Sequence, residues 1–159
     1  MLLKAYFDGC TEPKNPGGHC GYGAVILDGD KRLWEFSGYI APSPQTSNNV
    51  GEYTGLLSIL QHLKAQGLQR KSITIYGDSK LVICQMWADP NTGRPWRMNG
   101  GFYLPTAMKA QKLLREFPYA IGRWIPREEN FLADELSKRE LIKRGVEFRI
   151  QPTEKAVRT

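Results

Sequence analysis

Leu2-Leu3-Lys4-Ala5-Tyr6-Phe7-Asp8-Gly9 and Ser72-Ile73-Thr74-Ile75-Tyr76-Gly77-Asp78-Ser79 decide the fold. Each is a short apolar run that ends at an aspartate beside a turn-forming residue. Strand alternation sets Tyr6 and Asp8 on one face, and Tyr76 and Asp78 on one face. A helical stretch lies between the two runs, as a crossover between parallel strands requires. If the strands are parallel and adjacent, both aspartates emerge at the same sheet edge. That edge, the carboxyl end of parallel strands, is where open α/β sheets place their ligands. Taken singly, Asp8 before Gly9 also reads as a turn residue and Asp78 before Ser79 as a helix N-cap.

Outward from the first run, residues 10–23 are rich in Gly, Pro and Asn and read as a loop. Residues 22–27 and 32–39 flank Asp28-Gly29-Asp30-Lys31 and read as a hairpin. A helix is predicted over 47–66, with Ser47, Asn48 and Asn49 offering N-cap chemistry and Gly67 a stop. Further helices are predicted over 79–87, 104–117 and 128–144, the last stopped by Gly145. A fifth strand is predicted over 119–125, and residues 88–101 read as a loop. The order βββαβααβα gives an α/β fold, a mixed sheet with helices packed on it.

The chain has 159 residues, enough for one domain with a sizeable core. Twenty-two Lys and Arg against 16 Asp and Glu give a net charge of +6, which suits a polyanionic partner. No apolar run approaches the roughly 20 residues of a membrane helix. The N-terminus meets Asp8 too soon for a secretory leader. Three cysteines, Cys10, Cys20 and Cys84, include no C-x-x-C pair, which disfavours a disulfide framework and suits a reducing cytoplasm. With two histidines in the chain, metal chemistry here falls to oxygen ligands.

Glu52 joins the two aspartates. It shares a helical face with Leu56, Ile59 and Leu63 at spacings of four, seven and eleven, so it faces the core and the sheet edge. Asp134, in Phe131-Leu132-Ala133-Asp134, shares a face with Phe131 and Leu141 and is expected at the core margin. Carboxylates converging on one spot stay ionised when cations neutralise them. Oxygen-only ligation points to Mg²⁺ or Mn²⁺. Two such ions roughly 4 Å apart would serve phosphodiester hydrolysis.

At these residues the chain resembles ribonuclease H of type 1. The carrying segments are Tyr6-Phe7-Asp8-Gly9, Asn15-Pro16-Gly17-Gly18, Ser47-Asn48-Asn49-Val50-Gly51-Glu52, Gly77-Asp78-Ser79 and Arg127-Glu128-Glu129-Asn130-Phe131-Leu132-Ala133-Asp134. The resemblance implies a mixed five-stranded sheet and endonucleolytic cleavage of the RNA strand of RNA–DNA hybrids, giving 5′-phosphate and 3′-hydroxyl ends. It implies metal binding and catalysis by Asp8, Glu52, Asp78 and Asp134, with Mg²⁺ or Mn²⁺ as two ions beside bound substrate. It implies hybrid contacts by Asn15, Ser47, Asn48 and Asn49, whose short polar groups suit 2′-hydroxyls. Helix capping is the other reading of Ser47, Asn48 and Asn49. Lys80 stands where the family has a Gln and offers a phosphate contact. Trp87 and Trp96 suit a platform for the DNA strand, or packing of the 88–101 loop onto the domain. No counterpart of the family's loop histidine lies between Trp124 and Asp134.

The expectation is therefore a catalytic domain over residues 1–145 and a tail over 146–159, partly disordered. The protein is expected to act as a cytoplasmic monomer without a membrane partner. A non-catalytic module binding hybrid or double-stranded RNA is the alternative on the same fold.

Overall fold

The computed structural model describes residues 1–150. Its elements are β1 (Leu3–Glu12), β2 (His19–Asp28), β3 (Lys31–Ile40), α1 (Asn48–Ala65), β4 (Ile73–Gly77), α2 (Lys80–Met86), α3 (Leu104–Leu114), β5 (Ala120–Trp124), a 3₁₀ turn (Arg127–Glu129) and α4 (Phe131–Lys143). They form one mixed sheet in the order β3-β2-β1-β4-β5. β1, β2 and β3 pair antiparallel, and β4 and β5 continue the sheet parallel to β1. The expected fold class and element order hold. Among the described residues no helix is long and apolar enough to cross a membrane.

Alternation along the strands splits the core into two layers. Leu3, Ala5, Phe7, Ala24 and Ile26 pack with Leu56, Ile59, Leu60 and Leu63 of α1. These α1 residues are fully buried, and each such side chain contributes about 1.5–3 kcal/mol by leaving water. On the other sheet face Val25 and Leu27 meet Leu136 of α4. The close approach of α4 depends on small residues in β2. A Cβ on Gly23 would lie 2.6 Å from the Cβ of Leu136, and one on Gly21 would overlap the Ser137 carbonyl. These two glycines therefore mark a helix seat, whereas their composition had suggested a loop.

That seat corrects two boundaries. β1 does not stop at Asp8-Gly9. It continues to Glu12, pairing with β2 down to Glu12↔His19 after its pairing with β4 has ended at Phe7↔Gly77. The loop expected over residues 10–23 shrinks to 13–18, and Asp8 lies within a strand, which removes its reading as a turn residue. The last helix starts at Phe131, three residues later than expected, because Asn130 is drawn fully into the core. α3 ends at Leu114 and turns before Phe117. The hairpin is as expected, a tight turn with Gly29 at φ +60°.

The apolar alternation at Val146, Phe148 and Ile150 forms no strand. Instead the buried Glu12 carboxylate accepts the backbone N–H groups of Arg149 (2.7 Å) and Ile150 (3.0 Å). The first part of the expected tail is therefore docked on the end of β1. Residues 151–159, on which the rest of the disorder expectation falls, lie outside the described residues.

Candidate active site

The parallel register pairs Tyr6 with Tyr76 and Phe7 with Gly77, which sets Asp8 and Asp78 level where the two strands part. The rings of Tyr6 and Tyr76 stack at 4.8 Å and floor the sheet just before the acids. Asp8 is fully buried, and its Oδ1 accepts the Gly9 N–H at 2.9 Å. Asp78 is half-buried and precedes Ser79, whose hydroxyl caps α2 by accepting the Val82 N–H. The cap falls to Ser79, which leaves the Asp78 carboxylate to the site.

Glu52 arrives from α1. The first turn of this helix rests against β1 at Gly9, where a Cβ would lie 2.8 Å from the Gly51 Cα and overlap the Glu52 N. The absence of a side chain at Gly9 thus lets the helix descend far enough for Glu52 to reach the aspartates. Carboxylate oxygens of Asp8, Glu52 and Asp78 lie within 4.8 Å of one another. Glu52 is 2% exposed. Asn130 binds the cluster from below α4, its Nδ2 donating to the Phe7 carbonyl at 2.9 Å and to Asp78 Oδ2 at 3.4 Å.

Asp134 stands outside this set of three. Its Oδ2 accepts from Lys138 Nζ at 3.0 Å, one helical turn along, and its Oδ1 lies 3.7 Å from Arg127 Nη2. The structure brings Asp8, Glu52 and Asp78 together and pairs Asp134 with two cations at the margin.

The polar residues before α1 divide between capping and cross-linking. Ser47 caps the helix by accepting the Val50 N–H at 3.2 Å. Asn48 does not cap. Its N–H donates to Asn15 Oδ1 at 3.0 Å, and its own Oδ1 accepts the Thr11 N–H at 2.7 Å. The Asn48 Nδ2 is buried with no hydrogen-bond partner in the structure. Such a donor is costly unless something else accepts from it. Asn49 is 3% exposed beside it.

Lys80 opens α2 with its Nζ 4.7 Å above the ring of Trp124, within cation–π range. The Trp124 indole donates to the Asp78 carbonyl at 3.1 Å, and the residue is 44% exposed. An exposed aromatic thus borders the carboxylates, on a residue that the sequence reading used only as a strand end. The two tryptophans chosen for that role pack elsewhere. Trp87 donates to the Ala120 carbonyl at 3.3 Å and covers β5 at Gly122. Trp96 donates to Asp89 Oδ2 at 2.7 Å and packs against the core. With the Asn91 amide, that indole holds the Asp89 carboxyl below its usual range. Asn130 and Lys138 also went unread as site residues. The local sign was the polar run Arg127–Asn130 just ahead of an apolar helix.

The donor set is oxygen-only. Cys20 is buried near Glu52, and burial chiefly, with the Glu52 charge adding to it, pushes its thiol up to about 12. It stays protonated at neutral pH and is a poor metal ligand. Three carboxylates this close repel one another unless a cation lies among them. Their hardness and number fit Mg²⁺ or Mn²⁺.

The fold is thus a mixed sheet with three acids gathered at the fork of its central parallel strands. The family model described as reverse transcriptase-like matches residues 6–140, and the chain belongs to that family. It is similar to ribonuclease HI of Synechocystis sp., with 37% identity over 99 residues, 60% of this chain and 52% of that protein. The chain thus matches about half the length of that relative. Among solved structures it is similar to RNase H1 of the halophilic archaeon Halobacterium salinarum NRC-1, at 28% identity and a TM-score of 0.72, covering 90% of this chain and 99% of that one. It is also similar to LC11-RNase H1, solved in complex with an RNA/DNA hybrid, at 28% identity and a TM-score of 0.74, covering 89% and 98%. LC11-RNase H1 was isolated from compost by a metagenomic approach.

Proposed function

We propose that this protein is an endoribonuclease that cleaves the RNA strand of RNA–DNA hybrids, leaving 5′-phosphate and 3′-hydroxyl ends. The observation that carries the reading is the convergence of Asp8, Glu52 and Asp78 from three separate elements onto one edge. In this reading residues 1–145 form the catalytic domain. Asp8, Glu52 and Asp78 hold divalent cations, Mg²⁺ or Mn²⁺, and Asp134 completes the set when a second ion and substrate are present. Bound there, a divalent cation neutralises the acids and supplies Lewis acidity at the phosphodiester.

The chain's own residues orient the strand. The buried Asn48 Nδ2, held by Thr11 and Asn15, offers a fixed donor to a ribose 2′-hydroxyl, the group that separates RNA from DNA. Asn15, Ser47 and Asn49 shape the same rim. Lys80, propped on Trp124, presents a cation to a phosphate beside Asp78. The excess of basic residues adds long-range attraction for a polyanion. Buried Cys20 and Cys84 thiols suit a reducing compartment, and the reading includes a cytoplasmic monomer.

The test is Asp78→Asn assayed on hybrid, RNA duplex and DNA duplex with Mg²⁺ or Mn²⁺. Loss of an outer-shell partner alone costs about 10–100-fold, so loss of a direct ligand is expected to reduce hybrid cleavage by at least about a hundredfold. Wild type is expected to cut hybrid alone. Near-normal cleavage by the variant would overturn the assignment. Wild type that binds hybrid without cutting it in any divalent ion would favour the non-catalytic module.

A further inference from the structure

We infer that Lys138, backed by Arg127, is a positioning residue that withholds Asp134 from the metal centre and so sets the cation concentration at which the site fills. The inference rests on the metal-dependent reading above and extends it to regulation of the same site.

The observation is a division among four acids. Three gather their oxygens within 4.8 Å. The fourth, Asp134, gives Oδ2 to Lys138 at 3.0 Å, while its Oδ1 makes no hydrogen bond and lies 3.7 Å from Arg127 Nη2, at ion-pair distance. Neither cation is a freely waving surface group. The Lys138 and Arg127 side chains are 27% and 33% exposed. The Arg127 guanidinium is partly buried, and its Nη2 faces Asp134 Oδ1 at ion-pair distance. Lys138 is flanked by the Phe148 ring, 6.0 Å from its Nζ. That ring belongs to the segment whose next two amides are tied to Glu12. The C-terminal segment therefore helps hold the lysine over the acid.

A carboxylate engaged in this way competes poorly for a further cation, because binding the ion requires breaking the ion pair first. The strength of the pair is subtracted from the ion's affinity. The upper end of the range for exposed ion pairs corresponds to roughly a fivefold change in a binding constant. The arrangement favours occupation by one ion at the three-acid cluster and delays the second.

The experiment is titration with Mn²⁺ alone, counting free ion by electron paramagnetic resonance, so that no turnover is needed. Lys138→Met is expected to move the upper part of the binding curve to about fivefold lower Mn²⁺. Lys138→Arg keeps the ion pair and is expected to follow wild type. In an Asp134→Asn background, Lys138→Met is expected to produce no shift. Superimposed curves for wild type and Lys138→Met would overturn the inference. So would an equal shift in the Asp134→Asn background, which would mark the lysine as bulk positive charge. An Asp78→Asn curve identical to wild type would overturn the metal reading itself, a result distinct from either.

Discussion

Gly9 shows how one missing side chain builds the site. The backbone of α1 occupies the volume a Cβ would need there, so Gly9→Ala must push α1 away from β1 and lift Glu52 from the aspartates. Overpacking of this kind costs about 1–3 kcal/mol. Gly9→Ala is expected to lower the unfolding temperature modestly and to weaken Mn²⁺ binding more than that destabilisation explains. Unchanged metal affinity in a folded variant would contradict the seat. Cys20, on the neighbouring strand, gives a pH signature. Its thiol ordinarily titrates near 9 and in the fold near 12, raised first by burial. The unfolded chain therefore loses its proton before the folded one. The stability is fully present below pH 9 and is lost as pH rises from 9 towards 12. Thermal unfolding of wild type is expected to fall more steeply over that window than that of Cys20→Ala, and parallel profiles would contradict the assignment.

At the scale of elements, what was legible followed from periodicity and punctuation. The repeated Tyr-x-Asp pattern, within β1 and at the end of β4, and the acid heading the apolar stripe of α1, placed three carboxylates together before any coordinates. What was not legible depended on neighbours. Gly21 and Gly23 carry turn composition, yet they lie in β2 because α4 presses on them. Asn130 falls inside the helix predicted over 128–144, but it precedes the helix and its side chain turns inward to Phe7 and Asp78, 123 and 52 residues away. Trp124 borders the site, whereas Trp87 and Trp96 serve packing, because a tryptophan's role is set by which strand and loop surround it. The Glu12 latch was equally invisible, since its partners are backbone amides 137 and 138 residues distant. Glu12→Ala strands both amides, at about 1–3 kcal/mol for a buried group left unpaired. The expected outcome is a fall of several degrees in the unfolding midpoint and faster hydrogen exchange at Arg149 and Ile150. Unaltered exchange there would remove the latch.

Across the whole molecule, the sheet works as a two-sided frame with one functional edge. α1 covers one face and α4 the other, and each delivers a group to the fork where β1 outruns β4: Glu52 from α1, and Asn130 with the guarded Asp134 from α4. Positive charge in excess elsewhere balances this concentration of acid and favours a polyanionic strand. The central claim is that the fork binds a hard divalent cation. The most direct measurement is a crystal soaked in Mn²⁺ and read by anomalous scattering. The account predicts a peak about 2.0–2.3 Å from oxygens of Asp8, Glu52 and Asp78. No peak at the fork, or ions held only by other residues, would contradict it.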